Sequence, residues 1–221
     1  MKFVCISASN VSKIDHEGAS AKAGRTIGEL IRKQKIDASF ELISLIDRRL
    51  HPCMMCAECF RTNRCAHDPA FNELFDRMME ADGLFIVVPH YALIPAKLTI
   101  VLEKVQEFAF LHGYNKLPGD FALAGKAVGL VVHGGMVESD EVCKYYQRAL
   151  LEPVSHALKG IGMKVVSLDK GMPEGVVFGI KRMIEPQGRC LPELEHDWAE
   201  ITGRLSLLTS KMLKAIGSKR N

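Results

Sequence analysis

Four of the chain's seven cysteines fall within the thirteen residues from Cys53 to Cys65, CMMCAECFRTNRC. Thiols this close together serve as metal or cluster ligands, or stand reduced along the rim of a site. Structural zinc favours two C-x2-C knuckles set well apart, so that each supplies two corners of a tetrahedron. Here a C-x2-C-x2-C core puts three sulfurs within seven residues, as in the bacterial ferredoxin run. Cys65, the next sulfur along, is the candidate to complete a 4Fe–4S shell with Cys53, Cys56 and Cys59. No proline follows it, so the loop is not expected to fold as a ferredoxin. Zinc and a set of plain reduced thiols stay open as alternatives. Cys5, Cys143 and Cys190 are isolated, and Cys5 lies in an apolar run that suits a small buried side chain.

The rest of the composition narrows the setting. With 221 residues, 48% hydrophobic and 25% charged, the chain is long enough for one α/β domain with a substantial core and short for two. Twenty-nine basic residues against 26 acidic ones give a net charge of +3, too mild and too scattered to argue for nucleic acid or a membrane surface. The opening MKFVCISAS is too short an apolar run for a signal peptide. No stretch approaches the roughly 18 apolar residues of a transmembrane helix, so a cytoplasmic protein is expected. Disulfide frameworks are uncommon there, and an odd cysteine count fits one badly. Metal or redox chemistry is the better use for the cluster.

These residues must be positioned by elements, and the pattern is regular. Apolar runs at 2–8, 39–45, 83–89, 127–133 and 163–169 read as strands, and segments near 20–34, 69–81, 95–111, 138–159 and 192–215 as helices. Phe71, Leu74, Phe75 and Met78, for example, recur at helical spacing. Strands apolar on both faces belong to parallel sheets covered by helices. Five β–α units predict a flavodoxin-like three-layer α/β sandwich, a single domain over 1–221. Its five-stranded parallel sheet has the order 2-1-3-4-5 and a cysteine-rich loop at about 51–68 after strand 2. A Rossmann sheet is the rival, but the first β–α loop, SASNVSKIDHEGASAKAG, has no G-x-G-x-x-G. Hydroxyls and N–H groups at a helix N-terminus can hold a phosphate without that fingerprint; alternatively Ser20 only caps the helix.

The order of strand 2, cysteine loop, acid-capped helix, Ala81-Asp82-Gly83 leading strand 3, and a loop beginning Pro89-His90-Tyr91 resembles the iron–sulfur flavoprotein family. That family lies within the wider NADPH-dependent FMN reductase group. The resemblance covers about residues 2–170 and is strongest from Cys53 to Glu103. The G-S-P-R usual after strand 1 reads Ala8-Ser9-Asn10-Val11, retaining only the serine. The L-K-x-x-x-D-R of the following helix reads Leu98-Thr99-Ile100-Val101-Leu102-Glu103-Lys104, which keeps the acid–base pair in kind. An Asp pair after the last cysteine is reduced to Asp68.

The resemblance implies a 4Fe–4S cluster held close to FMN, NADPH as a possible reductant, and a homodimer or homotetramer. Electrons would pass between low-potential carrier proteins and acceptors. FMN needs a phosphate cradle, an apolar slot for its ring, and donors aimed at the ring's N and O atoms. Ser9, Ser20 and the N–H groups of Ala21 and Lys22 are the cradle candidates, assisted by the helix dipole. Pro89, His90, Tyr91, Ala92 and Leu93 supply an edge for the ring. His133, Gly134 and Gly135, at the expected end of strand 4, would let backbone approach its pyrimidine side; a plain Gly-Gly turn is the alternative. His90 and His133 could donate to reduced flavin, although a lone histidine is more often structural. No side chain is required as a catalytic acid or base, since the chemistry belongs to the cofactors. Two other readings stay open: a cluster-free NAD(P)H-dependent FMN or quinone reductase, and a zinc-stapled flavodoxin-like binding protein without turnover.

Overall fold

In the computed structural model, residues 1–10, 18–91, 93–185 and 192–218 are described. The first half runs β1 (Lys2–Ser7), α1 (Ala19–Gln34), β2 (Ser39–Ser44), a one-turn α2 (Cys59–Thr62), α3 (Pro69–Glu80), β3 (Gly83–Pro89) and α4 (Ala96–Tyr114). The second runs β4 (Ala127–Val137), α5 (Asp140–Tyr146), α6 (Glu152–Gly160), β5 (Lys164–Val165), β6 (Val176–Ile180), β7 (Arg182–Ile184), β8 (Glu193–Glu195) and α7 (Trp198–Gly217).

The strands form a parallel sheet in the order β2-β1-β3-β4-β5, as the β–α alternation predicts. Alternation along each strand divides the core in two. Val4, Ile6, Leu84, Ile86, Val128 and Leu130 face α3, α4 and α6. Phe3, Cys5, Phe85, Val87 and Val131 face α1 and α7. Both faces are apolar because both are covered, which is the condition that makes parallel strands read as continuous hydrophobic runs. Cys5 is fully buried, and burial pushes its thiol well above the usual range.

The second half departs from expectation in four places. The fifth strand, expected over 163–169, is only Lys164–Val165. The same edge of β4 is then completed by β6, parallel to Val131–His133. No helix intervenes between β5 and β6, so counting one helix per strand passes over VVFGI. Because β6 supplies partners, β4 runs on to Val137 instead of ending at His133. The helix expected over 138–159 is α5 and α6 joined by a π-helical turn at Gln147–Leu151. Pro153, in the first turn of α6, has no N–H for the regular ladder, so an irregularity falls there. Residues 193–195, expected to be helical, form a strand of the β7–β8 hairpin. Asp197 then caps α7 by accepting the Glu200 N–H at 3.1 Å.

Candidate functional site

The first chain reversal in sheet order lies between β1 and β3, and ligands of open parallel sheets bind beyond the carboxyl ends at such a point. Two loops meet there. The N–H of Ala8 donates to Val87 O at 2.9 Å. Tyr91 reaches over the edge, its hydroxyl 3.1 Å from Ser9 Oγ and accepting the Asn10 N–H at 3.2 Å. Ser9 is buried while Tyr91 and Leu93 are exposed, and Leu93 is held at φ 68°. Ala92 lies outside the described residues, as do residues 11–17 of the first loop.

The α1 terminus is open in a specific sense. Gly18 is its N-cap, no side chain among the described residues caps it, and its first turn carries no acid. First-turn N–H groups lack intrahelical acceptors and carry the positive end of the dipole. The N–H of Lys22 is already donated to Gly18 O at 3.0 Å, and its ammonium lies 4.2 Å from the Trp198 ring centroid. Ala21 and its first-turn neighbours are therefore better placed than Lys22. Ser20 does not act as a cap: its Oγ is buried 2.7 Å from His133 Nε2. His133 stacks on Phe178 at 5.0 Å and 6°. Burial, with His196 adding to it, drives the His133 pKa down to about 3, so the ring is neutral at physiological pH. His133 thus braces the α1 terminus against β4 from below.

The Gly134–Val137 segment is shaped by Tyr146, which is completely buried. Its hydroxyl accepts the Met136 N–H at 3.1 Å, and a Cβ on Gly134 would meet that oxygen at 2.2 Å. The neighbouring Tyr145 hydroxyl is 3.0 Å from His90 Nε2, and the His90 N–H donates to His133 O at 2.7 Å. The two tyrosines of α5 therefore hold the Pro89–Leu93 loop and the β4 extension together, a role invisible until that extension is known. Gly134→Ala is expected to lose about 1–3 kcal/mol, the cost of overpacking a filled site. Equilibrium urea denaturation checks this, and an unchanged midpoint would show that Tyr146 yields without cost.

The four clustered cysteines all line one cavity, with Phe60, Ala66, His67, Lys104, Glu107 and Phe108 among its other walls. Cys53, Cys59 and Cys65 are partly buried and Cys56 is exposed. Among the described residues no three His, Cys, Asp or Glu side chains converge to hold a metal ion. The sulfurs share a wall, not a centre. The backbone is nevertheless bent around them: Met55 (φ 52°) and Ala57 (φ 58°) flank Cys56, and Asn63 (φ 52°) precedes Cys65. Non-glycine residues in this region cost roughly 1–2 kcal/mol each and gather where a site dictates the path. Burial, then Glu107, raises the Cys59 thiol. Four thiols on one partly apolar wall, on a loop of this shape, fit a cluster-ligand set.

Helix α4 ties that loop down at both ends. Lys97 Nζ donates to the carbonyls of Leu45, Ile46 and Arg48 at 2.8, 2.7 and 2.8 Å. Glu103 accepts the Cys53 N–H at 3.3 Å. Lys104 Nζ pairs with Asp68 Oδ2 at 2.5 Å, with both side chains buried. Asp68 also accepts the His51 and Phe71 N–H groups, each at 2.9 Å, which makes it the cap of α3. Burial pushes Asp68 up, but Lys104 and these two N–H groups outweigh it and hold its carboxyl below the usual range. The helix with these ties starts directly beyond the Tyr91 loop, so the cysteine loop and the sheet-edge loops are referenced to one rod. Lys97 and Lys104 were missed in this role. Their spacing of two helical turns, with Lys104 among Val101, Val105 and Phe108, is the signal: a cation on the apolar stripe needs a buried partner.

A parallel sheet of this order, covered by helices on both faces, defines a flavodoxin-like α/β protein. Residues 1–168 match the NADPH-dependent FMN reductase family, and the chain belongs to that family. It is similar to an iron–sulfur flavoprotein of Methanocaldococcus jannaschii, 28% identical over 115 residues, which span 51% of this chain and 58% of the relative. Among solved structures it is similar to RosB bound to 8-demethyl-8-formylriboflavin-5'-phosphate. That match has a TM-score of 0.62 and 14% identity, and covers 100% of this chain and 80% of that one. The flavoenzyme NAD(P)H:(acceptor) oxidoreductase of Paracoccus denitrificans matches with a TM-score of 0.57 and 14% identity over 97% and 98% of the two chains. At such identities the structural likenesses speak for the fold. No helix among the described residues is long and apolar enough to cross a membrane.

Proposed function

We propose that this protein is an FMN-dependent oxidoreductase in which Cys53, Cys56, Cys59 and Cys65 hold a 4Fe–4S cluster. Electrons then pass between cluster, flavin and an external carrier protein or small-molecule acceptor. The observation that carries the reading is that all four thiols line one cavity on a loop tied to α4, whose N-terminus follows the loop at the sheet's ligand-binding edge. The cluster and flavin supply one- and two-electron chemistry when bound. Ser9 and the N–H groups at Ser20 and Ala21 bind the FMN phosphate. Pro89, His90, Tyr91 and Leu93 line the ring, with the Gly134–Gly135 backbone at its far edge. The neutral His133 keeps the cradle rigid through Ser20. Exposed Met54, Met55, Phe110 and Tyr114 suit a homodimer or homotetramer that shields the cysteine loop from water and oxygen.

One observation favours a second reading: the sulfurs do not converge, as in a cluster-free NAD(P)H-dependent FMN or quinone reductase whose cysteines only line a rim. Anaerobic purification decides. The expected result is extracted FMN, with iron and sulfide and broad absorbance beside the flavin bands. Flavin without iron selects the reductase. FAD, or no flavin after reconstitution, removes the central claim, and a colourless zinc protein points to a stapled binding module.

A further inference from the structure

The buried pair Lys104–Asp68 is not symmetric with respect to the cysteine cavity. Lys104 lines the cavity and Asp68 does not. Asp68 sits behind it, wholly buried, its oxygens taken up by the His51 and Phe71 N–H groups and by the ammonium. The pair is therefore a fixed dipole whose cationic residue belongs to the cavity wall and whose carboxylate does not. Glu107, on the same wall, and Glu103, which accepts the Cys53 N–H, are carboxylates that oppose it. Two backbone N–H groups hold the dipole's negative end from outside the pair, so it cannot turn when the charge in the cavity changes.

We propose that this dipole sets the reduction potential of the group held by Cys53, Cys56, Cys59 and Cys65, with Lys104 as the nearer charge and Asp68 as the residue that positions it. The inference rests on the cluster reading above. In the half-reaction one electron enters from an external reductant, and the site becomes more negative by one charge. A cation fixed at the wall stabilises that reduced state, and in a site shielded from water the effect is larger than at a surface. Lys104 thus raises the potential, and Asp68 attenuates it from behind.

The test is an anaerobic redox titration of the reconstituted full-length protein, with the reduced cluster followed by electron paramagnetic resonance and iron counted in parallel. Lys104→Met is expected to lower the midpoint, with the reduced-to-oxidised ratio at fixed potential falling about tenfold, about 59 mV for one electron. Asp68→Asn, which leaves the ammonium but removes the opposing charge, is expected to raise it. A merely structural role would move both variants the same way, because both loosen the same loop. With iron retained, shifts of one sign or no shift overturn the inference. If Lys104→Met fails to load, Asp68→Asn alone decides: a rise supports the inference, and a fall or no change overturns it. If neither variant loads iron, the pair is only a scaffold. Wild-type protein without iron sinks the cluster reading itself, a separate outcome that takes this inference with it.

Discussion

Replacing any one of Cys53, Cys56, Cys59 or Cys65 by alanine is expected to strip iron from the protein while leaving FMN bound. The reason is reach. Cys53, Cys56 and Cys59 are spaced so that they share one turn of chain, and Cys65 faces the same cavity. Among the described residues no other thiol lines that cavity to substitute. Cys5 is sealed in the opposite core, packed with α1 and α7. Cys143 sits on α5 against the other core layer, its thiol raised by burial and by Glu138. Cys190 lies outside the described residues. The flavin contacts assigned above come from other segments, the ends of β1, β3 and β4 and the start of α1, so they should survive. Cys143→Ala is the control and should lose neither cofactor. Iron assay with flavin extraction on all five variants provides the measurement. Full iron in the four single variants, or loss of iron in Cys143→Ala, would mean that the cluster assignment is wrong and the plain flavin reductase right.

Much of this site was legible from residue order because its parts are local. Strand runs, the C-x2-C-x2-C spacing and the Pro89-His90-Tyr91 loop each occupy one short stretch, and sheet topology carries them to a shared edge. What escaped was set by partners distant in sequence. β6 is a clear apolar run, but only its pairing with β4 tells that β4 continues to Val137. Ser20 looks like a helix cap until His133, 113 positions away, is found beside it. Gly134 resembles a turn residue, whereas its lack of a Cβ makes room for Tyr146. Glu103-Lys104 was visible as an acid–base pair. That its two members reach different ends of the cysteine loop depends on how α4 crosses that loop.

Asp68→Ala should be the most destabilising single change in the cysteine region. It removes the α3 cap, worth about 1 kcal/mol, and leaves the Lys104 ammonium buried without its counter-charge. Breaking a buried pair from one side typically costs about 3–5 kcal/mol, a large fraction of the roughly 5–15 kcal/mol that holds a domain folded. The His51 N–H also loses its acceptor, so the entry of the cysteine loop should loosen along with α3. The pH dependence has a definite sign. The Asp68 carboxyl is held below its ordinary range in the folded protein, so the unfolded chain binds the proton first as pH falls. Its contribution is complete above the unfolded value near 3.9 and is lost as pH drops through the folded one. The variant should therefore trail the wild type by a constant margin at neutral pH and by a shrinking one in acid. Whether the loss belongs to the pair is decided by a double-mutant cycle with Lys104→Met. Removing both charges should recover part of the loss, because the orphaned ammonium is then gone. Denaturation midpoints that fall by the full sum of the two single changes would show that Asp68 and Lys104 stabilise the fold independently, and the pair would lose its place as the clamp of the cysteine loop.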